Sequence, residues 1–173
     1  MISTEDRNTI RTLAQQWMEL ANDPVMDERK KAWTAVHDLK AERPVILIEA
    51  ATVTGFVDES GLTCENPILR FAEKVMRVTI RQAKELGDDI VVEPFYRLGW
   101  RMKFSGWGVP IEIHGPEQAS MAHSFNFPIK TPDDIKKLKP RTVTVDHEKT
   151  TLMKETLEDA FGDIMPVKVG NFA

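Results

Sequence analysis

A single cysteine, Cys64, among 173 residues leaves no partner for an intrachain disulfide and excludes a zinc site built on several thiolates. No dense block of lysine and arginine is present, and the formal net charge is −4, so the chain lacks the electrostatic footprint of a DNA or RNA binder. The basic pairs Lys30-Lys31 and Lys136-Lys137 fall on helical patterns and read as solvated faces. No apolar run approaches the length of a membrane span, and "MISTEDRNTIRTLAQQW" carries charges where a signal peptide needs an apolar core. The expectation is a soluble, cytoplasmic protein without nucleic-acid or membrane partners. The glycines of "GFVDESG" and "GWG" form no phosphate cradle, so nucleotide binding has no support, and there is no internal repeat or low-complexity tract.

What is present is an ordinary globular balance, 42% apolar and 29% charged, in a chain long enough for one sizeable core. Residues 3 to 21 read as an amphipathic helix with Ser3 as N-cap, Ile10, Leu13, Ala14, Trp17, Met18 and Ala21 on one side, and Asn22-Asp23-Pro24 as the stop. A second helix is expected from about Asp27 to Lys40. "PVILIEAATVTG" supplies a short, wholly apolar strand, Val45 to Ile48, of the kind buried on both faces. Asn66-Pro67 opens a long helix that runs to Gly87, and Ile90 to Glu93 is the next strand, completing a βαβ unit. "WRMKF" and "VPIEIH" around "SGWG" predict a hairpin. Thr131 to Asp134 carries a capping-box pattern, Val143 and Val145 suit a minor strand, and Asp146 precedes a helix ending at Gly162. "IMPVKVGNFA" reads as a third core strand. An apolar last strand with no helix after it would leave an open sheet edge, so the expected chain is the N-terminal part of a larger α/β unit.

In that order, "RPVILIEA", "CENPILRFAEKVMRVTIRQAKELGDDIVVEP", "GWRMKF…GVPIEI", "FPIKTPDDIKKLKP" and "DIMPVKVGNF" resemble the N-terminal portion of the uroporphyrinogen decarboxylase superfamily over residues 43 to 172. That resemblance implies a partial (β/α)8 TIM barrel, about its first three strands, over residues 43–173, with a helical segment over 1–42 and a hairpin insertion. Porphyrinogen decarboxylases carry an arginine-rich turn after the first strand, where this chain has "EAATVTGF". They also place a catalytic aspartate just past the second, a position falling at or near Phe95 in "VEPFYRL". The departures turn the resemblance toward the branch of cobalamin-dependent methyltransferases, which pass a methyl group between a small methylated or methoxylated substrate and a corrinoid protein. A lyase of tetrapyrrole biosynthesis is the alternative within the family. A non-catalytic interaction module, self-associating or pairing with the missing barrel half, is the alternative outside it.

In such a barrel the chemistry sits at the C-terminal ends of the strands. Glu49 and Glu93 stand at two of these ends, where neighbouring carboxylates can serve as acid and base or donate to an ether oxygen. Each could equally cap its strand and pair with Arg97 or a backbone amide. Tyr96, Trp100 and Trp107 offer aromatic walls for a flat ligand, or pack a hairpin against the rim. Arg97 and Arg101 could steer an anion, and His114, closing "IEIH", is a further substrate-binding candidate. His114, His123 and Cys64 match no metal-ligand spacing, so no metal site is expected in this chain; zinc, where the family uses it, belongs with later strands, and the cobalamin with the partner protein. Cys64 lies just before a helix start, where the dipole would lower its pKa, unless it is a partly buried structural thiol.

Overall fold

A computed structural model describes residues 2–115 and 124–171. These fall into two compact units, 1–99 with 148–173, and 100–147, a division that does not follow the expected boundary at residue 42.

The first unit is built on four helices. Helix α1, Thr4–Ala21, starts where the Ser3 hydroxyl accepts the Asp6 N–H at 3.0 Å. It buries Ile10, Leu13, Ala14, Trp17 and Ala21, the stripe that spacings of three and four provide. Helix α2, Val25–His37, begins two residues earlier than expected and ends three earlier, because Leu39 turns into the left-handed region at φ 57°. Helix α3, Pro67–Glu85, opens on Asn66, whose side-chain oxygen accepts the N–H groups of Ile68 and Leu69, with Pro67 in the first turn. Gly87, at φ +64°, lets the chain leave it. Helix α4, His147–Phe161, ends at Gly162, where a Cβ would lie 2.7 Å from the Glu158 carbonyl oxygen.

Their apolar faces converge on one core. Leu69, Ala72 and Met76 from α3 meet the α1 stripe, and Leu157, Ala160 and Phe161 from α4 close it. Ion pairs seal the edge between α1 and α4: Arg7 holds Asp159 at 2.8 Å, and Arg11 grips Asp163 with two bonds of 2.6 and 2.8 Å. Two buried carboxylates fix the approach to α3. Asp6 accepts the N–H groups of Glu65 and Asn66, and Glu73 those of Thr63 and Cys64.

The strands depart from expectation. Val45 to Ile48 and Ile90 to Glu93 are not strands, and the first run is not enclosed: Ile46 is 61% and Leu47 51% exposed. The second run continues instead into β1, Tyr96–Leu98. This strand pairs in parallel with β6, Val167–Val169, in the register Tyr96↔Val167, Arg97↔Lys168 and Leu98↔Val169. Tyr96 and Leu98 face inward while Arg97 points out, the alternation of a half-buried strand. The third expected strand is therefore present, paired with a segment that begins three residues beyond the second one's predicted end.

The second unit contains two antiparallel ribbons. Strand β2, Met102–Phe104, pairs with β5, Val143–Val145, and β3, Glu112–His114, pairs with β4, Ser124–Asn126. The expected hairpin joining "WRMKF" to "VPIEIH" does not form. Its turn is used otherwise: the Trp107 carbonyl accepts the Lys139 N–H at 2.8 Å, and a Cβ on Gly108 would sit 2.8 Å from Lys139 Cγ. The β-branched pair Val143 and Val145 takes the place opposite β2. The capping box appears as expected, with the Asp134 carboxylate accepting the N–H groups of Lys130 and Thr131 ahead of the short 3-10 turn Pro132–Lys137.

The architecture is thus mixed α/β, with small two-stranded sheets.

Candidate functional site

The segment leading to Glu93 owes its position to helix side chains rather than to a sheet. The carbonyls of Asp89, Ile90 and Glu93 accept from Trp33 Nε1 at 2.8 Å, Arg29 at 2.8 Å and Trp17 Nε1 at 2.7 Å. The Val92 N–H points at Met26 Sδ, 3.3 Å away. Met26, Arg29, Lys30 and Trp33 recur at spacings of three and four on α2, so one helix face provides nearly the whole set. Backbone groups that a neighbouring strand would have satisfied are satisfied here by indole and guanidinium donors.

Glu93 is half-buried between two cations, with Lys30 Nζ 3.6 Å from one carboxylate oxygen and Arg97 4.0 Å from the other. Beside it lies a groove of about 440 Å³ lined by Trp33, His37, Leu47, Ile90, Val91 and Arg97. The His37 ring stands 6.4 Å from Trp33, and its Nδ1 is 2.8 Å from the Trp33 carbonyl oxygen. The groove therefore combines an aromatic wall, an aliphatic floor and a guanidinium with a carboxylate at its margin. That combination suits a small ligand with one apolar and one polar end.

The apolar run before Glu49 is tied to the same segment through two aspartates. Asp89 accepts the Ile46 N–H at 2.9 Å and is gripped by Arg43 through bonds of 2.7 and 2.8 Å, while its own N–H donates to the Ile46 carbonyl at 2.7 Å. Asp88 accepts from the Ile48 N–H and from Gln82. The Arg43 guanidinium and the Ile46 amide hold the Asp89 carboxyl well below its ordinary range. Glu49 itself is exposed ahead of the turn Ala50–Thr52, and its carboxylate has no ion pair or hydrogen bond among the described residues.

The expected residues are thus divided. Glu93 and Arg97 come together; Glu49 is tethered to their segment only through its neighbours. Tyr96 is not a ligand wall: it is 3% exposed, 5.8 Å edge-on to Phe161 and 6.4 Å from Trp17, and burial raises its hydroxyl pKa. Trp100, Trp107 and His114 belong to the second unit. There Trp100 meets His147 edge-on at 5.5 Å, and His114 Nε2 is 3.9 Å from Glu112. His123 lies outside the described residues, and among those described no cluster of His, Cys, Asp and Glu could hold a metal ion. The Cys64 thiol is fully buried, and burial, with Glu73 beside it, pushes its pKa up to about 12 rather than down.

Trp33, Arg29 and the Asp88-Asp89 pair were missed in the sequence. The signal was available in part: two aspartates directly ahead of an apolar run, and an Arg-Pro step ahead of another, mark backbone amides needing acceptors.

Fold and groove define a mixed α/β protein with an open groove beside a cation-flanked carboxylate. Comparison of the chain with protein-family models, curated proteins and solved structures finds no match.

Proposed function

We propose that the chain is the N-terminal part of a uroporphyrinogen decarboxylase-like (β/α)8 barrel of the corrinoid-dependent methyltransferase branch. The assembled enzyme would move a methyl group between a small methylated or methoxylated compound and a corrinoid protein. The supporting observation is one of order. Residues 43–48 lie against Asp88-Asp89, that segment runs on into β1, and β1 pairs in parallel with β6. An extended segment bonded at Ile46 to Asp89 and a parallel β1–β6 pair, with α3 between the first two segments and α4 before the third, follow the order in which a singly wound barrel begins.

A groove of about 440 Å³ fits a small compound and not a corrin ring, so the cofactor stays on its partner protein, where it supplies the methyl acceptor. Within this chain Arg97 holds an anionic substituent, Trp33 backs the apolar end, and Glu93, entering the step protonated, gives its proton to the heteroatom the methyl leaves and is left as the carboxylate between Lys30 and Arg97.

The test is transfer of isotope-labelled methyl from methylated amines, thiols and methoxylated aromatics to added cobalamin, using the protein of the full reading frame. Glu93→Gln is expected to slow transfer by at least ~100-fold. Unchanged transfer in that variant removes Glu93 from the reaction. Decarboxylation of uroporphyrinogen without any methyl transfer moves the chain to the lyase branch.

A further inference from the structure

Arg97 and Lys168 are register partners in the parallel β1–β6 pair, so their side chains leave the same face of the sheet, ~4.8 Å apart at the backbone. Both are exposed, while Tyr96, Leu98 and Val167 beside them turn into the core. Like charges set directly opposite on neighbouring strands repel. Glu93 answers Lys30 at 3.6 Å and Arg97 at 4.0 Å, the second too long for a hydrogen bond, and no carboxylate pairs with Lys168 among the described residues. Lys168 rests instead on an aromatic ring: its Nζ lies 3.8 Å from the centre of Phe95, and the Arg97 guanidinium carbon lies 5.9 Å from the same centre. Phe95 thus draws both cationic heads toward one place. Three cations share one acid there, on the face that Arg97 carries into the groove of about 440 Å³.

We infer that Arg97 and Lys168 form a two-cation seat for the anionic end of the substrate, and that the seat selects a dianionic head, a phosphate monoester or a phosphonate, over a carboxylate. A carboxylate brings one charge and two oxygens, which the fork of Arg97 takes up by itself. A phosphate monoester brings nearly two charges and three oxygens at pH 7.5, so two oxygens meet the guanidinium and the third meets the Lys168 ammonium. Such a head turns the repulsion between the two strands into attraction to one ligand. The inference rests on the reading that the substrate occupies the Trp33 groove, and it adds Lys168 as the residue that sets the class of anion.

The experiment is titration calorimetry at pH 7.5 on the protein of the full reading frame, with 4-methoxyphenyl phosphate and 4-methoxybenzoate, which share a ring and differ in the head. The phosphate should bind at least ~10-fold tighter. Lys168→Met keeps an apolar side chain on the Phe95 ring and should cost the phosphate at least ~10-fold but the benzoate less than ~2-fold, while Arg97→Gln weakens both. Both side chains are exposed, so the variants fold, and the comparison of the two probes on the unmodified protein needs no variant. Equal affinity for the probes, a preference for the benzoate, or equal losses in Lys168→Met would each overturn the inference. Binding of neither probe would overturn it too, and would mean that an acid from elsewhere in the protein occupies the seat. Methyl transfer to cobalamin is read separately: transfer without preference for the phosphate removes the seat and leaves the reaction, whereas phosphate-selective binding without transfer keeps the seat and removes the reaction.

Discussion

Cys64 shows how a residue's surroundings outweigh its place in sequence. Just ahead of a helix N-terminus the dipole favours a thiolate, whereas a buried structural thiol, the other reading of the sequence, stays protonated. In the structure the side chain is wholly buried, its N–H donates to the Glu73 carboxylate at 2.9 Å, and Asp6 lies on its other side. Desolvation and two acids disfavour a thiolate more than one helix end favours it. Glu73 moves the opposite way. Burial works to raise its carboxyl pKa, but the amides of Cys64 and Thr63 and the Arg77 guanidinium outweigh burial and lower it. The pair forms a structural latch. Cys64 should therefore resist a thiol reagent at pH 8 in the native protein and label fully in denaturant; fast native labelling would contradict the burial. Tyr96 teaches the same lesson, since an aromatic residue three places past an acidic strand end reads as a rim residue until the strand proves to lie farther along.

At the scale of elements, helix ends are legible and strand pairing is not: Val143–Val145 and Val167–Val169 form as the sequence predicts, while Val45 to Ile48 and Ile90 to Glu93 do not. Ser3, Asn66-Pro67 and Gly162 mark helix ends by local hydrogen bonding and sterics, and each acts where the sequence predicts. A strand is defined by its neighbour, and an apolar run such as Val45 to Ile48 carries no record of which groups will meet its amides. Here Asp88 and Asp89 take the Ile48 and Ile46 amides, and Trp17, Arg29 and Trp33 take the carbonyls of the adjoining segment. The candidate site was legible to a similar depth: Glu93 and Arg97 do meet, whereas Trp33 reaches the groove from a helix 60 residues earlier in the chain. The aspartate clamp has a pH signature. Asp89 has a folded pKa below its ordinary 3.8, so its stabilisation is complete above that value and is lost as pH falls through the folded one. Asp89→Asn should lower the thermal midpoint at pH 7 and leave the variant's midpoint less sensitive to acid below pH 4 than the parent's. Equal acid sensitivity of the two proteins would mean the clamp is absent in solution.

For the whole molecule, the two units differ in what holds them. The first unit draws residues 2–99 and 148–171 around one core, in which Phe161 of α4 touches Tyr96 and β6 completes the only parallel pair among the described residues. The second unit, 100–147, rests on two short ribbons, a capped turn and surface contacts such as Arg141 over the Phe104 ring at 4.2 Å. Core burial of side chains the size of Phe161 is worth about 1.5–3 kcal/mol each, while exposed ribbon contacts are worth a few tenths to about 1. Local opening should then cost far less in 100–147 than in the helical unit. Limited trypsin digestion should cut first at Lys103, Lys130, Lys136 or Lys137. The two flanking pieces should nevertheless stay together as a nicked species of nearly unchanged helicity, because α1, α3 and α4 share one core across the cut. First cleavage within α1 or α3, or separation of the pieces without denaturant, would show that the core does not bind the chain's two ends as its packing requires.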